Sequence, residues 1–159
     1  MEIIFHYTNL NCVEQIVKDA CLKISKADKM FGIKPAIWFS KNKRWEPTAT
    51  KMAFNGTEIV ELTEEEQLNA FGMIRFGIPF TTELISWRKY RHVGKINPLL
   101  HTSLERVGKE KGANPDDWYC SLKNIPLSTC VCIEQFDGTE WVNVIAEEVD
   151  EQNPSVLNP

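Results

Sequence analysis

Apolar positions along the chain recur in places at every second residue and in places at every third or fourth, and the changes of period divide it into short elements of both kinds. EIIFHY at 2–7 is β-branched and aromatic and runs into polar Thr-Asn, which predicts a buried first strand. Val13, Ile16, Val17 and Ala20 lie at helical spacing, with Asn11 and Glu14 in the relation of an N-terminal cap. They predict a helix over about 12–20, followed by a short strand at Leu22–Ile24. Residues 25–34 show no period and are predicted as a loop before the strand AIWFS at 36–40. Pro47 suits the first turn of a short helix reaching about Ala53, and Thr63 with Glu66 repeats the cap relation before a helix at 64–70.

Farther on, GMIRFGI at 72–78 predicts a strand closed by Pro79, and SWRKYRH a solvated amphipathic helix. Asn97-Pro98 opens the clearest helix, with Leu100, Leu104 and Val107 on one face and Gly112 at its end. WYCSL and STCVCIEQF predict strands joined around Pro126, and Asp137-Gly138 turns the second into a hairpin with TEWVNVI. Strands and helices do not alternate regularly, so the pattern predicts an α+β domain on a bent or split mixed sheet, not a doubly wound one. A single domain is expected over 1–146, with 147–159 as a disordered acidic, proline-containing tail.

Composition changes this picture little. At 159 residues the chain is long enough to bury a core without disulfides or metal. The start MEIIFHYT lacks the basic region and the apolar length of a signal peptide, so a cytoplasmic protein is expected. Five cysteines with no C-x-x-C pair predict reduced thiols, and no metal site is expected. A net charge of −4 argues against a general nucleic-acid binder, although Lys41, Lys43 and Arg44, and the run from Arg88 to Lys95, form local basic groups.

The sequence has no G-x-G-x-x-G, no phosphate-loop G-K-S/T, no H-E-x-x-H and no G-x-S-x-G. Three groups of residues remain as candidates. His6, near the end of the first strand, can offer its ring to a ligand at the sheet edge, although a histidine there taken alone is more often structural. Trp38 and Ser40 share one strand face and lead into the loop with Arg44 and Trp45, a combination suited to a flat ring attached to phosphates. Asp116-Asp117 precede the strand WYCSL, where a carboxylate can reach a cleft or simply make a turn.

The opening HYTNLNCVEQIVKDACLKIS resembles the His-first branch of the ADP-ribosyltransferases, which begin with His-x-Thr, a helix and a short strand. That branch includes the RNA 2′-phosphotransferases and the DNA-thymidine ADP-ribosyltransferase toxins. In it a catalytic Glu opens a strand that leads into a Val-Pro or Ile-Pro turn. DWYCSLKNIPLSTCVCIE is similar, with Asp117 in the place of the acid. The chain also resembles a group of small bacterial and phage-type proteins through PAIWFS, WEPTA and RFG.

The resemblance implies an ADP-ribosyltransferase-like fold that takes NAD as substrate. It carries His6 to the adenosine-side ribose, Trp38 or Ser40 to the nicotinamide-bearing sugar, and Asp117 to the developing cation; Thr8 of the His-x-Thr opening and Arg44 of the basic loop are further candidates for binding NAD. The acceptor stays open among a protein side chain, a nucleic-acid base and water, the last being NAD glycohydrolysis. Two departures stand against it: Asp117 is one methylene shorter than Glu, and Trp-Phe-Ser replaces the usual second motif. A second reading is a non-catalytic binding or inhibitor protein whose KNKRW and SWRKYRH segments touch a protein or nucleic-acid partner. On the first reading Asp117→Ala abolishes nicotinamide release from NAD and leaves the fold intact.

Overall fold

The computed structural model describes residues 1–24 and 32–144. In chain order its elements are β1 (Ile3–Thr8), α1 (Leu10–Asp19), β2 (Cys21–Leu22), β3 (Ile37–Ser40), β4 (Met52–Phe54), β5 (Ile59–Glu61), α2 (Glu64–Phe71), β6 (Ile74–Pro79), β7 (Ile85–Ser86), α3 (Trp87–Val93), α4 (Pro98–Glu110), β8 (Trp118–Ser121), β9 (Ile125–Pro126), β10 (Cys132–Phe136) and β11 (Trp141–Asn143). Seven strands make one sheet in the order β11-β10-β6-β1-β3-β8-β7, while β2–β9 and β4–β5 are separate two-stranded ribbons. The architecture is α+β in a single domain.

Side-chain alternation gives the sheet two different faces. Ile4, Ile37, Phe39, Ile74, Phe76 and Ile78 form one buried cluster, against which Val13 and Ile16 of α1 pack. The opposite face holds two clusters. Phe5, Tyr7, Trp45, Met73 and Cys132 make one, and Ala36, Trp87, Tyr90, Ile96, Trp118 and Cys120 the other. The sheet is also narrowed in the middle. β1 pairs with β6 from Ile3 to Thr8 but with β3 only at Phe5↔Ser40.

Several elements depart from the sequence-based expectation. The described sheet pairs are all antiparallel, so the sheet is not mixed. Between β1 and β3 the chain passes through both α1 and β2, and this extra reversal brings β3 back antiparallel. Helix α1 starts at Leu10 with Asn9 in the cap position, so Asn11 is inside the helix, and Val17 is 53% exposed. The helix predicted from Pro47 is a single 3-10 turn at Pro47–Ala49, after which the chain becomes the hairpin β4–β5. Met52, Phe54 and Ile59 there are apolar but exposed, so no buried face exists to fix a helix. The capping box of Thr63 and Glu66, the Asn97 cap and the hairpin at Gly138 form as predicted. The predicted 147–159 tail and most of the 25–34 loop lie outside the described residues.

Arg75 occupies the middle of β6, directly opposite Tyr7 on one side and Glu134 on the other. It is 7% exposed. Its Nε donates to Glu134 Oε2 at 2.5 Å, and its guanidinium lies 4.1 Å from the Phe5 ring and 4.3 Å from the Trp141 ring. Its Nη1 donates to the carbonyl of Lys43. The flanking carbonyls are held too: Tyr7 Oη donates to Asn42, and Trp141 Nε1 to Arg44 at 2.8 Å. Three consecutive carbonyls of the 42–44 loop are thus anchored to the sheet by three different side chains. Arg75→Ala leaves Glu134 unpaired in a poorly hydrated site and is expected to lower the unfolding free energy by about 3–5 kcal/mol in urea titrations. Arg75→Lys is expected to recover only part of this, because one ammonium cannot span both acceptors as the guanidinium fork does.

Candidate functional site

Where the two clusters of that face part, a cleft of about 480 Å³ opens. This is within the usual size of small-molecule sites. Its floor is the sheet, with Phe5, Tyr7, Trp38, Ser40 and Trp118. One rim is the segment Glu46–Lys51, which follows the anchored loop; the far wall is α4, with Leu104, Val107, Gly108 and Lys111. Gly108 lets that wall approach closely. A Cβ there would lie 2.4 Å from Trp118 Cη2, so any larger residue displaces the indole. Lys111 Nζ reaches Glu61 Oε1 at 2.5 Å, tying α4 to the β4–β5 hairpin.

The carboxylate in the cleft belongs to Glu46. It is 6% exposed and is held by neutral donors alone: Ser40 Oγ at 2.7 Å, Thr48 Oγ1 at 2.7 Å and the Thr48 amide at 3.3 Å. The sequence explains this arrangement locally. Glu46 caps the 3-10 turn whose first residue is Pro47, so its side chain must fold back over Thr48. Ser40 ends β3, and its hydroxyl accepts from the Asn42 amide at 3.1 Å while donating to Glu46. The anchored loop thereby fixes both members of the pair.

His6 lines the same cleft from the narrowed junction of β1 and β3. Its Nδ1 lies 2.8 Å from the Trp38 carbonyl, and its ring meets Phe39 edge-on at 5.8 Å. A carbonyl only accepts, so Nδ1 carries the proton, and Nε2 of the neutral ring is an acceptor. Burial holds the His6 pKa below the ordinary histidine value; the Trp38 carbonyl opposes this and the Lys51 ammonium adds to it. Tyr7, by contrast, is a core residue, its phenol pushed up to about 12 chiefly by burial.

An aromatic wall completes the site. Trp38 lies 5.6 Å from Trp87 and 4.7 Å from Tyr90, and Trp87 meets Trp118 edge-on at 5.5 Å. Trp87 is fixed in turn by stacking on His101 at 4.4 Å and by donating Nε1–H to Glu105 at 2.9 Å.

Of the residues singled out from sequence, the fold brings His6, Trp38 and Ser40 to one cleft. Asp117, Thr8 and Arg44 are not among the residues that line it. Asp117 ends the turn Pro115–Asp117, and its carbonyl takes the Lys41 amide at 3.0 Å. The next residue, Trp118, is the one that faces the cleft. Thr8 is buried at the end of β1, and Arg44 contributes its carbonyl to Trp141. In SWRKYRH, Trp87 and Tyr90 are buried while Arg88, Lys89, Arg91 and His92 are exposed. Glu46, Thr48, Lys51, Trp118 and Lys111 escaped the sequence reading. For Glu46 a signal existed, namely an acid just before proline with threonine two residues on. For Lys111, fifty residues beyond its partner Glu61, there was none.

Among the described residues no three His, Cys, Asp or Glu side chains converge as metal ligands, and no helix is long and apolar enough to cross a membrane. No family model, curated protein or solved structure matches the chain.

His101, like His6, has its pKa lowered chiefly by burial, with Glu105 opposing. A histidine with a lowered folded pKa binds fewer protons folded than unfolded. Its stabilising contribution is therefore complete above about pH 6.5 and is lost as pH falls toward the folded value. The unfolding free energy is expected to fall between about pH 6.5 and pH 5, and His6→Gln to flatten that slope by at most about 1.4 kcal/mol per pH unit. Urea titrations across this range measure it; an unchanged slope would mean that the His6 ring takes up its proton freely in the folded chain.

Proposed function

We propose that the chain binds NAD in this cleft and breaks its nicotinamide glycosidic bond, passing ADP-ribose to a protein or nucleic-acid acceptor or to water. The observation that carries this reading is the buried Glu46 carboxylate, hydrogen-bonded to Ser40 in the cleft that His6 also lines. The resemblance of the opening HYT segment to the His-first ADP-ribosyltransferases supports it as well. The fold at the level of that family is part of the same proposal.

Bond cleavage in NAD leaves the electron pair on nicotinamide and a positive charge shared between the ribose carbon and ring oxygen. A carboxylate held in place beforehand in a poorly hydrated cleft lowers the energy of that state. Glu46 supplies it, oriented by Ser40 and Thr48. The neutral His6 Nε2 accepts a ribose hydroxyl, Lys51 and Lys111 face the pyrophosphate charge, and the tryptophans hold the flat rings. When water is the acceptor, its oxygen bonds to the ribose carbon, its proton goes to solvent, and the products are ADP-ribose and nicotinamide. Glu46 thus takes the part that the resemblance alone would give to Asp117.

Two variants separate these assignments. Glu46→Gln keeps the shape and much of the hydrogen bonding but removes the charge; it is expected to lower nicotinamide release by at least about a hundredfold, the scale for removing one stabilising group from such a site. Asp117→Ala is expected to retain most of it. Chromatographic assay of nicotinamide, with melting curves for both variants, gives the answer. The reverse outcome returns the role to Asp117. Stabilisation of the wild-type chain by NAD without any cleavage favours the binding-protein reading instead.

A further inference from the structure

The β4–β5 hairpin turns an apolar face outward. In its register Met52 stands opposite Glu61 and Phe54 opposite Ile59, so these four side chains share one face. Ala53 and Val60 take the other, half-buried one. Met52, Phe54 and Ile59 are 64, 68 and 65% exposed, and none belongs to the three buried clusters. The ribbon is nevertheless held at both ends. At its tip the Asn55 side chain accepts from the amides of Thr57 and Glu58 at 2.9 Å. At its base the Lys51 amide donates to the buried Gln67 at 2.7 Å, the Lys51 carbonyl accepts from Leu62 at 3.0 Å, and Glu61 holds Lys111. Polar contacts thus fix an apolar surface that gains nothing from the fold itself, and such patches mark contact sites.

The charge around this face selects what covers it. From Met52 to Ile74 the chain carries five glutamates and no lysine or arginine. Among the described residues only Glu61 of the five is ion-paired, and Glu58, Glu65 and Glu66 are exposed. Such surroundings repel phosphates, and so disfavour a nucleic acid or an anionic lipid surface. They also disfavour a second copy, which would bring the same acids together across a twofold axis. Three apolar side chains fall well short of the roughly 800 Å² that each partner buries in a standard interface, but they suit a single peptide segment. The face also borders the cleft, because Lys51 beside Met52 and Lys111 beside Glu61 both line it.

We propose that the outer face of β4–β5 docks a basic protein segment with one apolar side. Its aliphatic residues cover Met52, Phe54 and Ile59 while its lysines or arginines meet the glutamates. The docking stands on the face alone. That the segment belongs to the acceptor, brought to the cleft mouth beside Lys51 and Lys111, rests on the NAD reading and narrows it to a protein acceptor.

Two synthetic peptides test the docking, one of leucine and lysine patterned as an amphipathic helix and one with glutamate at every lysine position. Fluorescence anisotropy of each labelled peptide is followed as the whole chain is added. The lysine peptide is expected to bind at least about tenfold more tightly than its glutamate counterpart. Phe54→Ser combined with Ile59→Ser is expected to weaken it by at least about tenfold, the scale for losing anchors at the centre of an interface. Because both side chains are exposed, this variant is expected to keep the wild-type melting curve and the wild-type rate of NAD hydrolysis. Glu58→Lys combined with Glu65→Lys leaves the apolar face intact and is expected to reduce the preference for the lysine peptide. Equal binding of the two peptides, no binding, or binding that both variants leave unchanged overturns the docking. Self-association of the wild-type chain that the serine variant abolishes gives the face to a second copy and overturns it too. Binding of a single-stranded oligonucleotide that this variant weakens gives the face to a nucleic acid, with the same consequence. If the peptide preference is found in a chain that does not cleave NAD, the docking stands and the NAD reading falls; if NAD is cleaved without that preference, the opposite holds.

Discussion

The placement of the site depends on one buried cation. Arg75 sits in the most covered strand of the sheet, where an unpaired guanidinium would be strongly destabilising, and the fold supplies Glu134, two aromatic faces and a backbone carbonyl around it. The carbonyl is the consequential partner. Together with Tyr7 and Trp141, Arg75 turns the 42–44 segment from a basic surface loop into a fixed strap across the sheet. Trp45 is then driven into the core, and Glu46 follows it under cover at 6% exposure. A group that costs energy to bury thus sets the position of the carboxylate in the cleft.

The cleft itself follows from the sheet's uneven pairing. β1 is fully paired with β6 but touches β3 at one registered pair, and the face above that junction carries two hydrophobic clusters instead of one. The His6 ring takes up the Trp38 carbonyl at the junction, which satisfies the backbone and also fixes the tautomer of the histidine. The same irregularity in the strands therefore creates space, supplies a neutral acceptor and leaves room for α4 to form the far wall. Glu61 and Lys111 join that wall to the β4–β5 hairpin, which otherwise has little buried apolar surface of its own.

The elements whose information is local were legible in the sequence. Thr63 with Glu66, Asn97 with Pro98, and Asp137-Gly138 each encode a cap or turn within a few residues, and each forms. The strand-forming runs with His6, Trp38 and Ser40 were legible for the same reason. Pro47 was misleading, because proline in a first turn is as compatible with one 3-10 turn as with a helix, and the apolar residues after it have nothing to pack on. Arg75 was visible as a lone cation in an apolar strand, yet its partners lie 32 and 59 residues away, beyond any local pattern. Asp117 stood out as an acid before a strand, but strand alternation gives the facing position to Trp118. Which carboxylate enters a cleft is a matter of tertiary register, and register was not encoded near either acid.

The central claim is that a dinucleotide lies between the strap-fixed Glu46 rim and α4. Amide hydrogen exchange followed by mass spectrometry, with and without saturating NAD, tests this most directly because it locates the ligand without requiring turnover. Slowed exchange in residues 40–51 and 104–111 is the predicted result. No slowing in either segment would contradict the account.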